Sequence, residues 1–155
     1  MMRKVLVAFA LKEEFAPWRR RHRFRPVSVS QRSISVATFG PTEVYVALTG
    51  AGGFTAHRFD DVMARFTPSL GIVTGVAAGL RPDWRPGDLL AAQSVCAADA
   101  KERIPGDPTL FDLAVQCGAK PAAALITLPH IARTMGKKCA WQAWGTRQIW
   151  RAFPR

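Results

Sequence analysis

The sequence predicts an α/β domain, a sheet flanked by helices. Three observations carry that expectation. Short apolar runs of strand length alternate with stretches of helical spacing. Small-residue loops follow two of the strands, and no apolar run approaches the length that spans a bilayer. The chain has 155 residues, which favours one domain, and 48% of them are hydrophobic, enough for a buried core.

The elements follow in order. Val5 to Ala10 is a continuous apolar run and fits a strand buried on both faces. Arg3 and Lys4 ahead of it, with Ala8 and Ala10 behind, also outline a secretory leader. The run is short for one and passes straight into Lys12-Glu13-Glu14, so the buried strand is the better reading. Glu13 to Arg21 reads as a helix, ending near Pro26. Ser33–Thr38 and Val44–Thr49 read as two strands around the turn signal Gly40-Pro41. A helix capped at Thr55 carries Phe59, Val62, Met63 and Phe66 on one stripe and stops at Pro68. Leu70–Thr74 and Leu89–Cys96 read as strands. Thr109–Cys117 reads as a helix closed by Gly118, and Ala122–Leu128 as a last strand.

Formal net charge is +11, which favours anionic partners without fixing the fold. The excess sits at the ends: Arg19, Arg20, Arg21, Arg23 and Arg25 near the start, and an acid-free stretch after Asp112. A surplus confined to the ends weighs against a nucleic-acid face, and the arginines read as a solvated helix face, with phosphate contact the sharper alternative. Cys96, Cys117 and Cys139 are odd in number and widely spaced. His22, His57 and His130 stand far apart as well. Neither a zinc site nor a disulfide framework follows, and reduced thiols in a cytoplasmic protein are expected.

Chemistry concentrates in three places. Thr49-Gly50-Ala51-Gly52-Gly53 and Thr74-Gly75-Val76-Ala77-Ala78-Gly79 each follow a strand. In open α/β sheets ligands bind beyond the carboxyl ends of strands, and missing side chains let them approach the backbone. Neither loop matches the dinucleotide fingerprint or the P-loop. Small residues after a strand also serve tight turns. Glu13 and Glu14 follow the first strand, where an acid can act as a base, orient water, or simply suit the first turn of a helix.

The order Val5-Leu6-Val7-Ala8-Phe9-Ala10-Leu11-Lys12-Glu13-Glu14, Thr49-Gly50-Ala51-Gly52, Gly71-Ile72-Val73-Thr74-Gly75-Val76-Ala77-Ala78-Gly79-Leu80 and Pro86-Gly87-Asp88 resembles the purine and uridine phosphorylase superfamily. It is most similar to the methylthioadenosine/S-adenosylhomocysteine nucleosidase side, over about Val5 to Thr134. The resemblance implies an incomplete three-layer phosphorylase/hydrolase-like fold with a mixed central sheet flanked by helices. It implies a small-molecule nucleoside as partner, no cofactor, no metal and no membrane, and it is compatible with a homodimer. Glu14 would position the attacking water. Thr49, Gly50, Ala51, Thr74 and Gly75 would bind substrate, Ala51 by the ribose, and Val76, Ala77 and Ala78 would line base and ribose. Phosphorylases of the family often place an Arg near Thr74, so Thr74 tilts the reading to hydrolysis. Val76 replaces a usual Ser or Thr, and Ala78 a usual Gly. Those departures put a hydroxyl contact and some pocket space in question. The family's cleavage passes through an oxocarbenium-like ribose, with an acid on the leaving base and water on the other face. The acid of the family falls downstream of this chain.

The division expected is therefore 1–134, the N-terminal part of a nucleosidase-like domain, and 135–155, a basic tail with Trp141, Trp144 and Trp150. The family would place a Met-Glu-Ser motif near Ile149-Trp150-Arg151. With ATA for Ile149 and AGA for Arg151, a shifted frame spells that motif, which suggests a frameshift after about Arg133. On this reading the chain is truncated and inactive. The alternative function is a small non-catalytic nucleotide- or nucleic-acid-binding protein, whose tail could stack on nucleic acid or lie on a membrane.

Overall fold

A computed structural model describes residues 2–29, 32–50, 60–97, 102–128 and 150–151. The chain divides into two compact units, Met1–Gly75 and Val76–Arg151.

The first unit is built on strand β1, Arg3–Phe9. Helix α1, Lys12–Arg21, follows, then β2 (Arg25–Val29), β3 (Arg32–Phe39), β4 (Thr42–Leu48), α2 (Asp60–Phe66) and β5 (Leu70–Val73). In this unit the strands lie in the order β5-β1-β4-β3-β2. β1 is parallel to both β4 and β5, while β2–β3 and β3–β4 are antiparallel. The sheet is therefore mixed, as expected.

The strand period of two sorts the core onto two faces. Val7, Phe9, Val44 and Val46 turn to one face, where Phe15 of α1 is buried with them. Leu6, Tyr45, Ala47, Ile34 and Val36 turn to the other and meet Val62, Met63 and Phe66 of α2. Helix, sheet and helix thus form three layers. On the α1 side the apolar contact is largely aromatic: Phe15 meets Phe9 at 5.6 Å and Phe24 edge-on at 4.9 Å between ring centres.

α2 ends through backbone geometry rather than glycine. Thr67 adopts φ 44°, and its amide donates to the Met63 carbonyl at 2.9 Å. Pro68 then prevents continuation. The start of this helix as read from the sequence, with Thr55 and Phe59, lies outside the described residues.

α1 ends at Arg21, the bound expected for it, with His22 as its C-cap. Arg19, Arg20 and Arg21 are helical, Arg23 lies in the connection, and Arg25 opens β2. The expected single helix face of arginines is thus corrected. Phe24 turns into the Phe15–Trp18 cluster just beyond the helix. Pro26 is tolerated because β2 pairs on one side only, with β3.

The second unit holds β6 (Leu90–Ala92), β7 (Ser94–Ala97), β8 (Ile104–Pro105), α3 (Pro108–Gln116), β9 (Lys120–Ala122), β10 (Leu125–Thr127) and the two-residue β11 (Trp150–Arg151). The expected strands Leu89–Cys96 and Ala122–Leu128 are each two strands. β6 pairs in parallel with β9, and β7 with β10. Both strands break at the same level: the Gln93 amide donates to the Ala122 carbonyl at 2.9 Å, and the Ser94 hydroxyl to the Ala123 carbonyl at 2.9 Å. No Gly or Pro stands at Gln93 or Ala123, so the sequence carries no punctuation there. α3 starts as its residues demand. Pro108 takes the first turn, the Asp107 carboxylate accepts from the Leu110 amide at 3.0 Å, and Gly118 closes the end at φ 96°. Apart from Trp150 and Arg151, the Trp-rich tail lies outside the described residues. No helix among the described residues is long and apolar enough to cross a membrane.

Candidate active site

The carboxyl ends of β1, β4 and β5 meet at one edge of the first sheet. Three amides continue the ladders beyond the strands. Thr49 donates to the Phe9 carbonyl at 2.8 Å, Gly50 to Ala10 at 2.9 Å, and Thr74 to Ala8 at 2.9 Å. These bonds bring Thr49 and Gly50 from one loop, and Thr74 and Gly75 from the other, alongside the turn that joins β1 to α1. Gly50 sits at φ 79°, a conformation that favours glycine. The Thr49 hydroxyl turns back to the Gly50 carbonyl at 3.0 Å.

Glu14 projects from the first turn of α1 into this gathering. One carboxylate oxygen, Oε2, accepts from the Ala10 amide at 2.9 Å and from the Leu11 amide at 3.0 Å. A glutamate three residues into a helix reaching back to the N-cap amide is half of a capping box. Here the same reach holds the carboxylate over the end of β1. On its other side lies Gly75. A Cβ built on Gly75 would stand 2.7 Å from Oε1 and 2.8 Å from both Cδ and Oε2 of Glu14. Only glycine leaves room for the carboxylate there.

By position after β1 Glu13 and Glu14 read alike, the resemblance names Glu14, and the helix separates them. Successive helical residues diverge by about 100°. Glu13 turns outward, 3.8 Å from Lys12 Nζ, over a hollow of about 250 Å³ that is also lined by Phe15, Arg19, Ser35 and Leu48. Glu14 turns to Gly75. Sequence reading missed the amides of Ala10 and Leu11 as the groups that aim Glu14. The signal was present as an acid at the third helical position, which was read as a base, a water-orienting group or a first-turn charge but not as a cap.

Gly75 was expected to open the backbone to a ligand. Its missing side chain makes way for the Glu14 carboxylate. Ala51 lies outside the described residues. Val76, Ala77 and Ala78 begin the second unit in a stretch without regular structure, and Val76 is 85% exposed. In that unit Gly79 passes close to Trp84, and Leu80 is buried. Pro86-Gly87-Asp88 has a structural task there. The Asp88 carboxylate accepts from the Arg85 amide at 2.8 Å and from Lys120 Nζ at 2.7 Å. Those two contacts, the Arg85 amide first, hold its carboxyl below the usual carboxylate range. Among the described residues no cluster of His, Cys, Asp and Glu could hold a metal ion.

No protein-family profile and no curated protein matches the sequence. Solved structures do match the fold. A futalosine hydrolase mutant from Helicobacter pylori superposes with a TM-score of 0.81 at 16% identity, covering 92% of this chain and 72% of that one. The methylthioadenosine/S-adenosylhomocysteine nucleosidase of the same organism, bound to butyl-thio-DADMe-Immucillin-A, gives 0.82 at 17% identity over the same shares. The corresponding nucleosidase of Campylobacter jejuni gives 0.76 at 19%, covering 91% of this chain and 71% of that one. The chain has the mixed α/β fold of these nucleosidases.

Proposed function

We propose that this chain carries the nucleophile side of a nucleoside N-glycosidase site, with hydrolysis as the reaction. The observation that supports it is the placement of the Glu14 carboxylate at the carboxyl ends of β1, β4 and β5, aimed by two amides and seated on Gly75. The solved structures that share this fold are of nucleosidases and a futalosine hydrolase, and some hold methylthioadenosine or an inhibitor.

The chemistry follows from the reaction. As the C–N bond lengthens, positive charge grows on the ribose. A carboxylate beside the sugar favours that charge and can take a proton from the incoming water. Glu14 is the one titratable side chain among Glu14, Thr49, Gly50, Thr74 and Gly75. The hydroxyls of Thr49 and Thr74 are suited to sugar oxygens. Departure of the base needs an acid as well, and such a proton donor contributes about 10²–10⁴-fold. None of those five residues supplies it. A site made of these five residues therefore binds nucleoside and turns it over negligibly.

The test is titration calorimetry with methylthioadenosine and with inosine, alongside an assay of released base. Saturable binding of one of them is expected, lost in Glu14→Ala, with little base released. No binding of either nucleoside overturns the assignment. Rapid release of free base by the 155-residue chain overturns the claim of negligible turnover.

A further inference from the structure

The first unit is electrically divided. α1 runs back along β1, so its last turn returns to the strand's amino end; contacts of His22 and Trp18 with Phe39, the last residue of β3, place it there. Arg3 opens β1 at that end, its amide bonded to the Pro41 carbonyl at 3.0 Å. Arg25 opens β2 there and reaches Glu43 of β4 at 3.4 Å. Arg3, Arg20, Arg21, Arg23 and Arg25 are therefore gathered at one edge, Arg19 stands between them and the hollow beside Glu13, and all six are exposed. Glu13, Glu14, Asp60 and Asp61 lie in the first turns of α1 and α2, at the opposite edge. Glu43 is the acid on the strands of the basic edge, and it is engaged by Arg25 and Tyr45.

The fold changes the weight of the sequence reading. Along the chain the arginines looked like one solvated helix face. In space they come from a helix, a connection and two strand starts. Cations in the last turn of a helix are favoured by its dipole, which accounts for Arg19, Arg20 and Arg21 but not for Arg3, Arg23 and Arg25. Among the described residues no carboxylate lies within ion-pair distance of Arg19, Arg20, Arg21 or Arg23. Three successive helical arginines fan through about 200°. They form a convex knob that meets several anions along a strand rather than one anion in a pocket.

We propose that this edge holds the phosphodiester backbone of a nucleic-acid strand, independently of base sequence and of the Glu14 site. A membrane surface is the poorer fit, because membrane-lying faces insert several large apolar side chains. Among the described residues of this edge, Met2 is the exposed large apolar one; Leu11 and Leu48 are at the opposite edge.

The test is fluorescence anisotropy of a labelled single-stranded oligouridylate against the full chain, repeated over a salt series. With roughly four phosphates engaged, the logarithm of Kd rises with that of salt at a slope of about 3. The triple variant Arg20→Glu/Arg21→Glu/Arg23→Glu weakens binding by more than about tenfold and lowers the slope. The tail variant Lys137→Glu/Lys138→Glu/Arg147→Glu, with the same change in net charge, stays within about twofold. If circular dichroism shows that the charge reversals disturb folding, Arg20→Gln/Arg21→Gln/Arg23→Gln against Lys137→Gln/Lys138→Gln/Arg147→Gln carries the same comparison. Nucleoside binding is unchanged in the arginine variants, and oligonucleotide binding is unchanged in Glu14→Gln. Equal losses from the two triples, a salt-independent Kd, or tighter arginine-dependent binding to phosphatidylserine-containing vesicles than to the oligonucleotide overturns the proposal.

Discussion

The Glu14 carboxylate rests against the Cα of Gly75, so close that a methyl group there would stand 2.7 Å from Oε1. A residue of the first helix and a residue just beyond the fifth strand are thereby fitted to each other, although they are far apart in sequence. Gly75→Ala forces one of them to move. Overpacking of this kind costs about 1–3 kcal/mol. At Gly40 a Cβ would meet nothing, and only its φ of 56° opposes a side chain. Gly40→Ala therefore costs about 1 kcal/mol and leaves nucleoside affinity unchanged. Gly75→Ala lowers both stability and affinity. Urea melts and calorimetry on the two variants check the contrast.

Glu14 also closes the start of α1. Its Oε2 takes up two amides that no helical carbonyl can serve. Glu14→Ala is expected to cost about 0.5–2 kcal/mol in a denaturant melt, and Glu14→Gln less, because an amide oxygen still accepts. Affinity and stability should thus separate between the two variants.

Thr67 is a β-branched residue held at positive φ behind α2. That backbone costs a non-glycine residue roughly 1–2 kcal/mol. Thr67→Gly is expected to stabilise the chain by about 1 kcal/mol, less what glycine adds to unfolded-state entropy. A rise in the urea midpoint with an unchanged slope is the readout.

The hydroxyl of Tyr45 donates to the Glu43 carboxylate, and the ring is buried beneath Phe66. Burial first, then the hydrogen bond and the charge of Glu43, push the phenol up to about 12. The unfolded phenol ionises near 10. Its contribution is therefore complete below pH about 10 and is lost as pH rises towards 12. In urea melts across that window, stability should fall more steeply for the wild type than for Tyr45→Phe.

Much of the first unit was legible in the sequence because its signals are local. Val5–Ala10 and Val44–Thr49 show apolar runs, Gly40-Pro41 marks the turn, and Val62, Met63 and Phe66 show helical spacing. The breaks at Gln93 and Ala123 were not legible, because the two segments keep one parallel register across them and no turn residue marks the interruption. β2 was hidden for another reason. Arg25-Pro26 reads as charge and breaker, and only the pull of Phe24 into the aromatic cluster turns the chain in time to start a strand. At the site, the sequence named Glu14 and Gly75 separately. Nothing in one dimension says that the missing side chain of one makes room for the carboxylate of the other.

The most direct measurement follows the backbone amides of the first unit by NMR during titration with methylthioadenosine. The account predicts saturable shifts at Gly50, Thr74 and Gly75, absent in Glu14→Ala while the rest of that variant's spectrum stays folded. Saturable nucleoside binding that leaves those three amides unmoved, or that persists unchanged in Glu14→Ala, contradicts it.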